Sequence, residues 1–226
     1  MTARAASRAL RSGDSAFGAE RFMSLWNRAV LHASHDGSDA YAALERLLGA
    51  SNRHFHNFEH IRDCIDRVDE VAPLLGSADS VELALWFHDA VLEPGAGDNE
   101  RRSAALFVDL SDGAARSFRH HIVRLILATA HNASTMYGDR AYVVDIDLAG
   151  LGAPWDEFMR KGDLLRREAR GQSDDDYYTR QVVFLGRLLE RRWLYATDYF
   201  RTTYEGPARS NLARLLALRA SQGYAA

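Results

Sequence analysis

From Phe17 almost to the end of the chain, apolar residues recur at intervals of three and four, as in ALFVDL, HIVRLILATA and TRQVVFLGRLLERRWL. Strand-like alternation is rare, and this spacing places the apolar side chains on one face of a helix rather than one face of a sheet. The pattern predicts an all-α protein, with helices near 17–34, 38–48, 56–75, 79–92, 99–111, 115–131, 140–150, 154–170, 174–193 and 206–221. Gly76-Ser77, Glu93-Pro94-Gly95 and Gly152-Ala153-Pro154 punctuate it. A chain of 226 residues that is 47% hydrophobic can bury one substantial core, and neither its four prolines nor its scattered sixteen glycines form a linker. We expect a flexible tail over 1–16 and a single helical domain over 17–226.

The formal net charge of −3 gives no broad footprint for nucleic acid, despite the local pairs Arg166-Arg167 and Arg191-Arg192. One cysteine, Cys64, excludes an intrachain disulfide and fits a reducing compartment. No apolar run approaches the roughly 18–20 residues needed to span a bilayer, and the first sixteen residues lack the apolar centre of a secretory signal. A cytoplasmic protein without membrane attachment is the expectation. The Trp- and Tyr-rich C-terminal helices offer a face for a homodimer.

Polar residues placed where burial is costly carry the chemical signal. RHFHNFEHI (Arg53 to Ile61) puts His56 and His60 four apart, on one face if both are helical. LALWFHDAVLEP (Leu83 to Pro94) sets His88 and Asp89 in a run that is apolar on more than one side. Burying an unpaired carboxylate costs several kcal/mol, and a divalent cation offsets that cost directly. DIDLAGLG supplies Asp145 and Asp147 as further ligands. Mixed imidazole and carboxylate ligation suits Mn, Fe, Co, Ni or Zn better than calcium, with Mg among the candidates.

Other polar residues have ordinary readings. His35-Asp36 lies in SHDGSD, a turn composition. His32 reads as an amphipathic-helix residue and Cys64 as a small buried hydrophobe. Asp98, Asn99 and Glu100 precede a helix, where capping competes with a role in orienting substrate. His120 and His121 lie about 15 Å before His131 along one helix, too far to share a site with it. Tyr177, Tyr178, Trp193 and Tyr195 read as packing or interface residues.

Taken together, Arg53-His54-Phe55-His56-Asn57 with His60, Trp86 to Asp89, Asp98-Asn99-Glu100 with Ser103-Ala104, and Asp145, Asp147, Leu148, Leu151 and Gly152 resemble the HD superfamily of metal-dependent phosphohydrolases, within it a bacterial subfamily of predicted HD phosphohydrolases. The likeness spans roughly 17 to 221 and continues weakly through Arg167-Glu168 and Ala208 to Leu212. Phe55, Leu92 and Ala169 depart from it, each standing where tyrosine is common. The resemblance implies an HD-type helical bundle in which His60, His88, Asp89 and Asp147 hold a divalent metal, with Asp145 in reserve.

It further implies that His56 protonates the leaving group, that Asp89 belongs to the catalytic set, and that Arg53, Asn57, Glu100, His131 and Asp145 contact substrate or support the ligands. Arg53 could clamp a phosphate through its planar fork. The function implied is hydrolysis of a small phosphoester or phosphoanhydride, a nucleotide among the candidates, by metal-activated water. Alternatives are a non-catalytic metal- or nucleotide-binding sensor, and di-metal oxygen-dependent or lyase chemistry on the same framework.

Overall fold

A computed structural model describes residues 18–131 and 136–224, so the expected tail over 1–16 lies outside the described residues. Among them the chain forms ten α-helices and no strand, a single all-α bundle as the periodicity requires. They are α1 (residues 18–29), α2 (Gly37–Leu48), α3 (Phe58–Val71), α4 (Ala78–Phe87), α5 (Asn99–Leu110), α6 (Arg116–Ile126), α7 (Asp139–Leu148), α8 (Trp155–Glu168), α9 (Asp174–Glu190) and α10 (Asp198–Ser221). No helix among the described residues is long and apolar enough to cross a membrane.

α4 is the axis of the bundle. Every residue from Ser80 to Phe87 is buried, and the helix packs against α3, α6 and α7. Trp86 and Phe87 meet Phe22, Trp26 and Phe107 in an aromatic cluster with ring centroids 5.2 to 6.2 Å apart. Such tilted and edge-on pairs add to the area they remove from water. The one buried carboxylate on this helix, Glu82, is met by Arg21 at 2.7 and 2.8 Å and by the Trp86 indole N–H.

Helix ends decide where the polar residues point. Asn57 caps α3 by accepting from Glu59 N–H, so His56 lies before the helix and does not share a helical face with His60. α4 stops at Phe87 rather than running to 92. His88 is its C-cap and Asp89 lies in the turn beyond, which frees the two adjacent side chains to converge. α1 ends by residue 29, and His32 adopts the left-handed conformation at φ 64° instead of continuing a helix. α6 passes into a 3-10 turn, Leu127–Ala130, that ends at His131, also left-handed at φ 55°.

The last helix begins at Asp198, eight residues before the expected start. Gly206-Pro207 resembles a helix opening, but buried Phe200 and Glu205 anchor the preceding turns, and Glu205 accepts N–H bonds from Leu194 and Tyr195. α10 presses against the 3-10 turn Ala149–Gly152, where Asn211 donates to the carbonyls of Leu151 and Ala153. A Cβ on Gly152 would fall 2.9 Å from the Tyr204 ring, so only glycine allows this approach.

Candidate metal centre

Three elements deliver four side chains to one point. His60 comes from the first turn of α3, His88 and Asp89 from the end of α4, and Asp147 from the last turn of α7. The Nε2 atoms of His60 and His88 are 3.2 Å apart. Asp89 Oδ2 lies 2.8 Å from His88 Nε2 and 3.5 Å from His60 Nε2, and Asp147 Oδ1 lies 3.4 Å from each. An ion with bonds of ~2.1 Å holds neighbouring ligands roughly 3.0–3.4 Å apart. The observed separations match the edges of such a coordination shell.

Cys64, one turn after His60 on α3, brings its Sγ to 3.7 Å from His60 Nε2. His60, Cys64, His88 and Asp147 each present a ligand atom within 4.8 Å of the others, a group that could hold a metal ion. The sequence treated Cys64 only as a buried hydrophobe. The signal for more was the His60-Cys64 spacing of four.

The donor set tests well against a cation. His88 Nδ1 bonds to the carbonyl of Leu85 at 2.8 Å, which requires a hydrogen on Nδ1 and leaves Nε2 bare in the neutral ring. A bare Nε2 facing another imidazole nitrogen and two carboxylates calls for a positive charge between them. Without an ion, protons supply it. Burial pushes the pKa values of His60 and His88 down, but the Cys64, Asp89 and Asp147 contacts outweigh it and hold both well above 6.5. Burial opposes the Asp89 and Asp147 carboxylates, but His88 and His56 at Asp89, and His131, His60 and His88 at Asp147, hold them well below 3.8.

The two aspartates of DID part company. Asp145 is fully buried and accepts from the N–H groups of Ala196 and Thr197 at 2.8 and 2.7 Å, tying α7 to the start of α10. It is not in the cluster, whereas Asp147 is, and Asp147 Oδ2 also meets His131 Nε2 at 3.0 Å. His131 Nδ1 is buried without a hydrogen-bond partner among the described residues.

His56 stands at the edge of the cluster, Nε2 3.9 Å from Asp89 Oδ2, and its Nδ1 meets Glu168 Oε2 at 2.6 Å. Glu168 Oε1 accepts three consecutive backbone N–H groups, from His54, Phe55 and His56. Burial opposes the Glu168 carboxylate, but the His56 contact and these donors hold its pKa below the usual glutamate value. A carboxylate only accepts, so His56 carries its hydrogen on Nδ1. Glu168 was not among the expected site residues, although the weak Arg167-Glu168 continuation of the resemblance, 112 positions from His56, was a signal that could have found it.

Arg53 is not free to clamp a phosphate as expected. Its guanidinium donates to the carbonyls of His56, Asp89 and Ala90, clipping the two site-bearing turns together. Asn57 serves as the α3 cap and also donates to His54 O. Asn99 bonds both backbone groups of Glu93 and Ser103 bonds Val91, fixing the loop after Asp89, while Glu100 faces the cavity beside the cluster. Asp98 occupies the α5 N-cap position without a side-chain cap bond. Asp36 of the turn-like His35-Asp36 pair caps α2.

His56, Asp89, Glu100, His131, Asp147 and Glu168 line one cavity of about 530 Å³, walled further by α8, α9 and α10. No protein-family model, curated protein or solved structure matches the chain.

Proposed function

We propose that this chain is a metal-dependent hydrolase of small phosphoesters or phosphoanhydrides, of the HD type that its sequence resembles. The observation that carries this reading is the meeting of His60, His88, Asp89 and Asp147 at ligand-edge distances on the wall of a cavity, beside a histidine braced by a carboxylate. His60 and His88 would hold the ion through Nε2, and Asp89 and Asp147 through carboxylate oxygens. When bound, it supplies Lewis-acid polarisation of a phosphoryl oxygen and an activated water.

The chain's own groups do the rest. His56 presents Nε2 toward the cavity and donates a proton to the departing oxygen, a contribution on the order of 10²–10⁴ in rate. Glu168 fixes the ring orientation and stabilises the imidazolium. Arg53 sets the distance between the His56 and Asp89 turns without touching substrate.

Elemental analysis of protein purified without chelator tests the reading, together with turnover of p-nitrophenyl phosphate. Wild type should carry a stoichiometric transition metal that His88→Ala and Asp147→Asn both lose, with turnover lost alongside. Wild type that neither carries nor takes up Mn, Fe, Co, Ni or Zn on titration would end the proposal. A second reading, two ions sharing Asp147, is favoured by its two oxygens facing different histidines, Oδ1 toward His60 and His88 and Oδ2 toward His131. Two metal equivalents falling to one in His131→Ala would establish it.

A further inference from the structure

The cavity beside the cluster has the size of a ligand pocket, about 530 Å³, but its chemistry is lopsided. Away from the cluster its walls are largely apolar, formed by Leu92, Leu151, Phe158, Met159, Phe184 and Leu185 among others. Phe184 is 41% exposed yet lines this space, with its ring 6.4 Å from that of His131. A wall of this kind gains nothing from a hydrated polar substrate and gains with every methylene placed against it.

Cations to receive more than one phosphate are scarce. Lys161 is held by Asp63 and Glu157, each at 2.8 Å. Arg219 donates to Gln181 and Gln222 and lies over the Tyr178 ring at 4.0 Å. Of the lining arginines and lysines, Arg180 alone has no partner among the described residues. Against these stand the lining carboxylates Asp89, Glu100, Asp147, Asp163 and Glu168. Such a site accommodates one phosphomonoester, of charge about −2, and leaves the further charges of a polyphosphate uncompensated.

We propose that the substrate is a phosphomonoester with a single phosphoryl head and a bulky apolar body, the head at the metal cluster and the body along the wall from α8 and α9. This rests on the phosphohydrolase reading above. Water attacks phosphorus, the ester P–O bond breaks, the apolar alcohol leaves with the proton given by His56, and the proton released by the water returns to His56, leaving hydrogen phosphate.

The test uses methyl-, butyl- and octylphosphonate, whose P–C bond resists hydrolysis, titrated calorimetrically into the metal-loaded protein. Affinity should rise about three- to fourfold per added methylene until the chain fills the cavity. Phe184→Glu, at a half-exposed position, should flatten that rise. Phe184→Ala should flatten it less. In turnover, octyl phosphate should exceed nucleoside mono- and triphosphates at least tenfold in kcat/KM.

Affinity independent of chain length, tighter binding of a nucleoside triphosphate than of octylphosphonate, or octanol binding as well as octylphosphonate would each overturn the proposal. Failure of the hydrolase reading looks different: the chain-length gradient persists while no phosphomonoester is turned over, which removes substrate status from a correctly identified ligand.

Discussion

Asp145 and Asp147 are two positions apart on α7, a rotation of about 200° around the helix. One carboxylate therefore meets the cluster while the other meets the backbone of Ala196 and Thr197. Asp147→Asn should abolish metal binding with the helical fold intact by circular dichroism. Asp145→Asn should keep the metal and lower stability by about 1–3 kcal/mol, as one of its buried backbone donors loses an acceptor. Denaturant unfolding beside elemental analysis separates the two, and metal loss in Asp145→Asn alone would reverse the assignment. Glu168→Gln keeps the side-chain shape but removes the charge that supports the His56 imidazolium. We expect kcat to fall by roughly 10²-fold, with metal content and KM little changed. A parallel loss of metal would make Glu168 a scaffold residue instead.

α2, α5 and α8 sit within two residues of where periodicity puts them, whereas α3 and α6 stop four and five residues early. What periodicity could not supply is where each stops, and the site lives at those stops. His88-Asp89 belongs to an unbroken apolar run, and only the packed end of α4 shows that the chain turns there. The residues that meet in the cluster were legible because imidazole and carboxylate in a buried run are chemically expensive. Glu168 was not, because an exposed-looking charged helix hides one inward-facing carboxylate, and which of its two expected roles Arg53 takes was not legible because carbonyl acceptors leave no mark in a sequence. The α3 cap is testable at the level of the helix it starts. Asn57→Ala should cost about 1 kcal/mol and loosen the first turn that carries His60, read as a lower unfolding midpoint and weaker metal retention. An unchanged midpoint would show that tertiary packing alone sets the start of α3.

The charge cluster ties the stability of the whole bundle to pH and to metal. In metal-free protein the raised His60 and His88 values contribute stability that is complete below the unfolded value near 6.5 and is lost as pH climbs through the folded values. The lowered Asp89 and Asp147 values contribute stability that is complete above about 3.8 and is lost as pH falls through the folded values. The contribution is therefore largest between about 3.8 and 6.5 and declines on the alkaline side. Metal reverses the alkaline decline, since ion binding displaces the histidine protons and tightens as pH rises. At a hundredfold excess over Kd the ion should add about 2.7 kcal/mol. Thermal melts with chelator and with added metal across pH 5 to 9 check this, and superimposable curves would disprove the linkage.

One helix has two duties. On the proposed reading, the end of α8 carries Glu168 to orient the acid, while Phe158 and Met159, between two and three turns earlier on the same rod, shape the wall for the substrate body. Those turns can be recut by substitution without disturbing the proton-handling group, so this architecture lets substrate preference drift while the chemistry stays in place.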